Sequence, residues 1–158
     1  EKMLLERMQE QRASGVLLAG VNIDSDRVKW MRGLDYPMVL FTQAASDGKN
    51  RIHTVIHDNK KVVLDAVSFL VTNGHKRIAF ISGPRNDYSS GALRIEGFME
   101  AVKQYGLDIP ESYLVDGGFS YESGMEAMQK IYEESEVLPT AVLACCDMTA
   151  IGAVPSGA

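Results

Sequence analysis

Apolar positions along the chain recur with two alternating periods. Leu4, Leu5 and Met8 share one helical face among Glu and Arg, and GVLLAG at 15–20 then reads as a short buried strand. Asp24 or Ser25 is placed to cap a helix carrying Val28 and Met31, and Pro37 opens a strand ending at Phe41. A turn containing Asp47, Gly48 and Asn50 precedes a short strand at HTVI, 53–56. From Asn59 a helix is predicted, with Val63, Ala66, Val67 and Leu70 spaced three or four apart and Gly74 as its stop. RIAFIS at 77–82 is strand-like, and residues 89–105 carry Leu93, Phe98, Ala101 and Val102 on one helical face before Gly106. YLVDG at 113–117 and TAVLAC at 140–145 complete the strands. Between them lies a helix capped by Ser120 or Ser123, and Asp147 is expected to cap a final short helix.

Short apolar strands alternating with helices imply parallel sheets, because each parallel crossover needs a connection on the scale of a helix. The fold class is therefore α/β and doubly wound, with helices expected on both sheet faces. The chain opens on a helix and stops in the first turns of another, so the expectation is the middle of a larger architecture.

Composition narrows the function classes. The 158 residues are 46% hydrophobic and 23% charged, ordinary for a folded domain. A formal net charge of -5 lacks the basic excess that gripping a phosphate backbone requires, so DNA contact by this segment itself is not expected. The only cysteines, Cys145 and Cys146, are adjacent, so no loop-closing disulfide forms between them and a reducing, cytoplasmic setting is expected. Residues 1–13 are charged throughout and no apolar run approaches a membrane span, so neither a signal peptide nor a membrane association is expected.

In open parallel sheets ligands bind beyond the carboxyl ends of the strands, and here those positions are polar. They are His57, Asp58 and Asn59; the run GPRNDYSSGALR, with Tyr88 and Arg94; GGF, with Phe119; and Cys146 with Asp147. A carboxylate, a guanidinium fork and an aromatic ring suit a polyol, and Asp58, Arg94 and Phe119 supply one of each. Every candidate also has an ordinary structural role. Asp58 and Asp147 each stand where a helix cap is needed. Arg94 fits a solvated helix surface, Phe119 fits a core, and the two cysteines fit buried small residues at a strand end. His53, His57 and His75 are scattered and are assigned surface or structural roles. No His or Cys lies at metal-site spacing, and neither metal nor cofactor is expected. Enzyme motifs are missing too: there is no nucleophile elbow, no phosphate-binding loop, and no dinucleotide or zinc-protease signature. GPRND is not a phosphate cradle, because Pro84 removes a backbone donor.

Several blocks nevertheless match one family in order and spacing. These are SGVLLAG, YPMVLF, HDN, LVTNGHKRIAFISGP, ALRIEGFMEAVKQYGLDIP, VDGGFSYESGMEAM and LPTAVLACCDMTAIGA, of which GHKRIAFISGP and PTAVLACCDMTAIGA are the most specific. On these residues the chain resembles the lactose-repressor and galactose-repressor (LacI/GalR) family of transcription regulators. The resemblance implies a two-lobed core of the type I periplasmic-binding-protein kind, each lobe only partly present, with a small effector held between lobes. Residues 1–75 would form part of the N-terminal lobe and 76–158 part of the C-terminal lobe, the DNA-binding headpiece being absent. It further implies a homodimer that responds to a sugar or related effector and reaches operator DNA through that headpiece. Arg94 matches the family's effector-binding arginine, Phe119 matches an effector-contacting aromatic of the purine branch, and Asp58 lies in the cleft-facing loop. Cys146 stands where many members carry Asn, a departure that bears on which effector fits. The competing expectations are an extracytoplasmic sugar-binding protein of a transporter, which shares the fold, and an enzyme on the same scaffold.

Overall fold

The computed structural model describes residues 2–19, 25–42, 52–87 and 90–154, and the chain divides into two compact units, Glu1–His57 and Asp58–Ala158. The expected turn at 47–50, the alternative cap Asp24 and the candidate Tyr88 lie outside the described residues.

The first unit holds α1 (Lys2–Glu10), β1 (Val16–Ala19), α2 (Ser25–Met31), β2 (Met38–Phe41) and β3 (His53–Val55). Its strands are parallel in the order β1-β2-β3, with Leu18 beside Leu40 and Leu40 beside Thr54. Successive strand residues point to opposite faces, so Val16, Leu18, Met38 and Leu40 meet Leu5 of α1 and Val28 and Met31 of α2 in one core. Buried Tyr36 ties the segment before β2 to α1, its hydroxyl donating to Leu5 O at 3.0 Å. Burial also pushes the Tyr36 phenol above its usual pKa. The other sheet face presents Leu17, Phe41 and Val55 in the open. Helix cover on both faces, as expected from the alternation, is thus not observed among the described residues of this unit. The intervening helices pack on the same side.

In the second unit, α3 (Asn59–Thr72), β4 (Ile78–Ser82), α4 (Gly91–Tyr105), β5 (Leu114–Asp116), α5 (Tyr121–Glu134), β6 (Ala141–Ala144) and α6 (Asp147–Ala153) follow one another, with a single 3-10 turn at Glu111–Tyr113. All three strands are parallel, in the order β5-β4-β6, so β4 is central and every one of its residues is buried. Its alternation feeds two cores. Ile78 and Phe80 pack with Val63 and Val67 of α3 and Phe98 and Ala101 of α4. Ala79 and Ile81 pack with Tyr113, Val115, and Ala127 and Ile131 of α5. Doubly wound packing is realised here, and it explains why β4 reads as a continuous apolar run.

The sequence suggests a crossing near Gly74, after the helix; α3 packs against α4 and the face of β4, and the compact units part between His57 and Asp58. Local signals do locate the helix ends. Asp58 caps α3 by accepting from Lys61 N at 3.0 Å, and Ser120 caps α5 in a capping box with Ser123. Gly74 and Gly106 follow α3 and α4 with φ of 90° and 60°, a left-handed conformation that glycine adopts without penalty.

The α3–α4 crossing is close because Gly97 faces the backbone of Lys60. A Cβ there would stand 2.6 Å from Lys60 O and 2.9 Å from Lys60 Cα. Alanine would gain about 1 kcal/mol in helix propensity. Forcing the two backbones apart costs more, typically about 1–3 kcal/mol. Gly97→Ala is therefore expected to lower the thermal unfolding midpoint; an unchanged or raised midpoint would contradict the close crossing.

Candidate ligand site at the strand ends of the second unit

The carboxyl ends of β4, β5 and β6 lead into Ser82–Gly83, Asp116–Gly118 and Cys145–Cys146, and the start of α4 adds Arg94. Arg94 is half-buried, and its side chain runs to two different elements. Nε donates to Asn59 Oδ1 of α3 at 2.9 Å, and Nη1 donates to the carbonyl oxygen of Cys145 at the end of β6. A guanidinium carries five N–H donors in a rigid plane. Among the described residues these are the two groups that accept from Arg94, and the fork has further N–H donors beyond them.

Around this fork the loops are tightly specified. The loop after β4 folds around Asp87, whose carboxylate accepts from Ser90 and Gly91. Gly91 is required there, because a Cβ would overlap Pro84 O. Arg85 pairs with Asp116 at 3.0 Å, and buried Ser82 donates to the same carboxylate at 3.1 Å, tying this loop to the end of β5. The Phe119 ring lies on Gly83, where a Cβ would stand 2.8 Å from its Cε1. Even so the ring is 46% exposed, and it covers the end of β4 rather than filling the core.

Cys146 is the N-cap of α6: its backbone is extended and its carbonyl accepts from Ala150 N at 2.9 Å. The expected cap, Asp147, is instead the first helical residue, exposed, with its charge at the helix N-terminus. The thiols of Cys145 and Cys146 both reach the buried hydroxyl of Thr149, at 3.6 Å and 3.2 Å. Burial pushes the Cys145 thiol above its usual pKa. For Cys146 burial also acts upward, but hydrogen bonds from the Thr149 side chain and from the backbone of Thr149 and Met148 outweigh it, leaving this thiol below the usual value.

Of the sequence candidates, Arg94, Phe119, Cys146 and Asp147 thus stand on the loops and helix starts around these strand ends. Asp58 opens the helix that carries Asn59, with its own carboxylate engaged as a cap. His75 is structural, its Nδ1 lying 3.0 Å from Thr140 Oγ1. The sequence places Asn59 among the polar residues beyond the strand ends without assigning it a role, and it does not single out Thr149. The signal for Asn59 was present: it occupies the same helical stripe as Val63 and Val67, and a polar residue on a buried stripe needs a partner. A broad furrow along the outer edge of β5, between Tyr105, Ile109 and Lys130, shares only Arg85 and the segment from Asp116 to Gly118 with these loops. No group of three or more possible metal ligands occurs among the described residues, and none of their helices is long and apolar enough to cross a membrane.

Residues 1–156 match the family model of periplasmic binding proteins and the sugar-binding domain of the LacI family. The chain is 33% identical over 154 residues to the catabolite control protein A of Priestia megaterium, covering 98% of this chain and 46% of that protein. It is 34% identical over 150 residues to the ribose operon repressor of Escherichia coli strain K12, covering 94% and 44%. The solved transcriptional regulator CelR in complex with cellobiose superposes with a TM-score of 0.83 at 27% identity, over 97% of this chain and 46% of that one. The chain therefore spans less than half the length of the curated relatives it matches.

Asn59 is buried and accepts from a charged donor, so Asn59→Ala is expected to destabilise the protein by about 1–3 kcal/mol. Asn59→Asp, which keeps an acceptor, should recover part of that loss. Equal thermal midpoints for wild type and Asn59→Ala would contradict the bridge.

Proposed function

The chain belongs to the family of periplasmic binding proteins and LacI-type sugar-binding domains, and on that premise we propose that it is the effector-sensing part of a transcriptional repressor. The observation that carries this reading is the Arg94 fork: it is fixed by Asn59 and Cys145 O at the end of β6, where Cys146 begins α6 and its thiol lies 3.9 Å from Phe119 O. A preset guanidinium suits paired hydroxyl or phosphate oxygens, and an aromatic face suits the apolar side of a sugar ring. The effector is accordingly a sugar or a related small molecule, bound without catalysis. Arg94 and Phe119 are its direct contacts, and Cys146 takes the place of an amide in reading its hydroxyls. The exposed Asp147 and the Asp58 loop serve the same ligand.

Family membership alone leaves a transporter's binding protein open; the repressors named among the relatives favour the regulator. On this reading the first unit is part of the N-terminal lobe and the second the opening part of the C-terminal lobe, dividing between His57 and Asp58. Operator DNA is bound through a segment outside this chain, which is itself acidic. The protein works as a cytoplasmic homodimer.

Thermal denaturation of the full-length protein against ribose, cellobiose, sugar phosphates and purines tests this. A ligand at a hundredfold excess over its dissociation constant stabilises the native state by about 2.7 kcal/mol. One chemical class is expected to raise the midpoint, and Arg94→Ala to remove that rise. No rise with any class would overturn effector sensing in favour of control by a protein partner.

A further inference from the structure

The two adjacent cysteines have a geometry that effector binding does not require. Cys145 is buried and Cys146 is partly open to solvent. Both sulfurs converge on one hydroxyl, Thr149 Oγ1, which is fully buried and itself reaches Gly118 O at 3.3 Å. The Cys145 thiol lies 3.2 Å from the same carbonyl, and the two thiols interact with each other as well. The peptide unit that joins them carries the Cys145 carbonyl, one of the two acceptors that hold Arg94.

We propose that Cys145 and Cys146 form a reversible dithiol–disulfide switch that acts on Arg94 through the peptide unit between them. The oxidant is a peroxide of the hydrogen peroxide class. The Cys146 thiolate attacks one peroxide oxygen, the O–O bond breaks, and a sulfenic acid and water result after protonation. The Cys145 sulfur, giving up its proton, then attacks the Cys146 sulfur, so that an S–S bond forms and hydroxide leaves as water. Two thiols lose two electrons in total and the peroxide is reduced to two waters. Cys146 is suited to the first step, being accessible and more readily ionised than Cys145, whose thiol burial keeps protonated.

A disulfide between neighbours encloses no chain except their shared peptide, so it does not stabilise by closing a loop; it strains that peptide. Ring closure turns the Cys145 carbonyl, which takes an acceptor from Arg94 Nη1 and withdraws both sulfurs from Thr149. The consequence for ligand binding rests on the proposed role of Arg94, whereas the thiol chemistry does not.

The full-length reduced protein is treated with hydrogen peroxide, remaining thiols are blocked with iodoacetamide, and the peptide containing both cysteines is weighed. Loss of two hydrogens, reversed by dithiothreitol and abolished by either Cys145→Ser or Cys146→Ser, is expected. Unchanged thiols, or stepwise oxidation of Cys146 to a sulfinic acid while Cys145 remains alkylatable, would overturn the switch. Peroxide-treated protein is also expected to lose any midpoint rise produced by ribose or cellobiose, and reduction of the same sample with dithiothreitol to restore it. A full rise in the disulfide form would overturn the coupling to Arg94. If neither sugar moves the reduced protein, that result counts against these two effectors alone, and the mass measurement still decides the switch.

Discussion

The guanidinium of Arg94 donates to the Asn59 side chain and to the Cys145 carbonyl, so one planar group sets α4 in register with α3 and with the end of β6. Hydrogen bonds made by a charged donor in a half-buried place are stronger than neutral ones, and their loss leaves an ion without compensation. The site depends on this constraint. A long flexible side chain would lose rotamer freedom on meeting a ligand, but one already clamped at two points has lost it in folding.

The clamp works because the surrounding elements approach closely enough for it. Gly97 lets α4 sit against the Lys60 backbone, and Gly124 and Gly152 do the same for α5 and α6, where a Cβ would overlap backbone of the facing helix. Between the two helical layers the fully buried β4 is the common wall, its alternate residues serving separate cores. The loops at its carboxyl end inherit their positions from that rigid core, reinforced by Arg85, Asp116 and Ser82.

How far the sequence exposed this arrangement follows from the range of each interaction. Periodicity located α3, β4 and α4 almost to the residue, because burial of a stripe or of a whole strand is written locally. Gly74 and Gly106 marked helix ends for the same reason, and Ser120 was one of two serines offered as the cap of α5. Cys146 displaced Asp147 as the cap of α6 because its extended backbone and the bond from Ala150 N decide the matter, and Cys is not a usual capping residue. The division between units and the bare face of the first sheet depend on which side each helix packs, which no local pattern encodes. Arg94 was singled out as a candidate, yet its partners lie 35 and 51 residues away and only the fold brings them together.

The most direct measurement is a structure of the full-length protein with a bound small molecule. Ligand oxygen atoms are expected on the outer guanidinium nitrogens of Arg94, with Nε still on Asn59 and the Phe119 ring against the ligand. A ligand seated elsewhere on the molecule, or Arg94 turned away from one seated at these strand ends, would contradict this expectation.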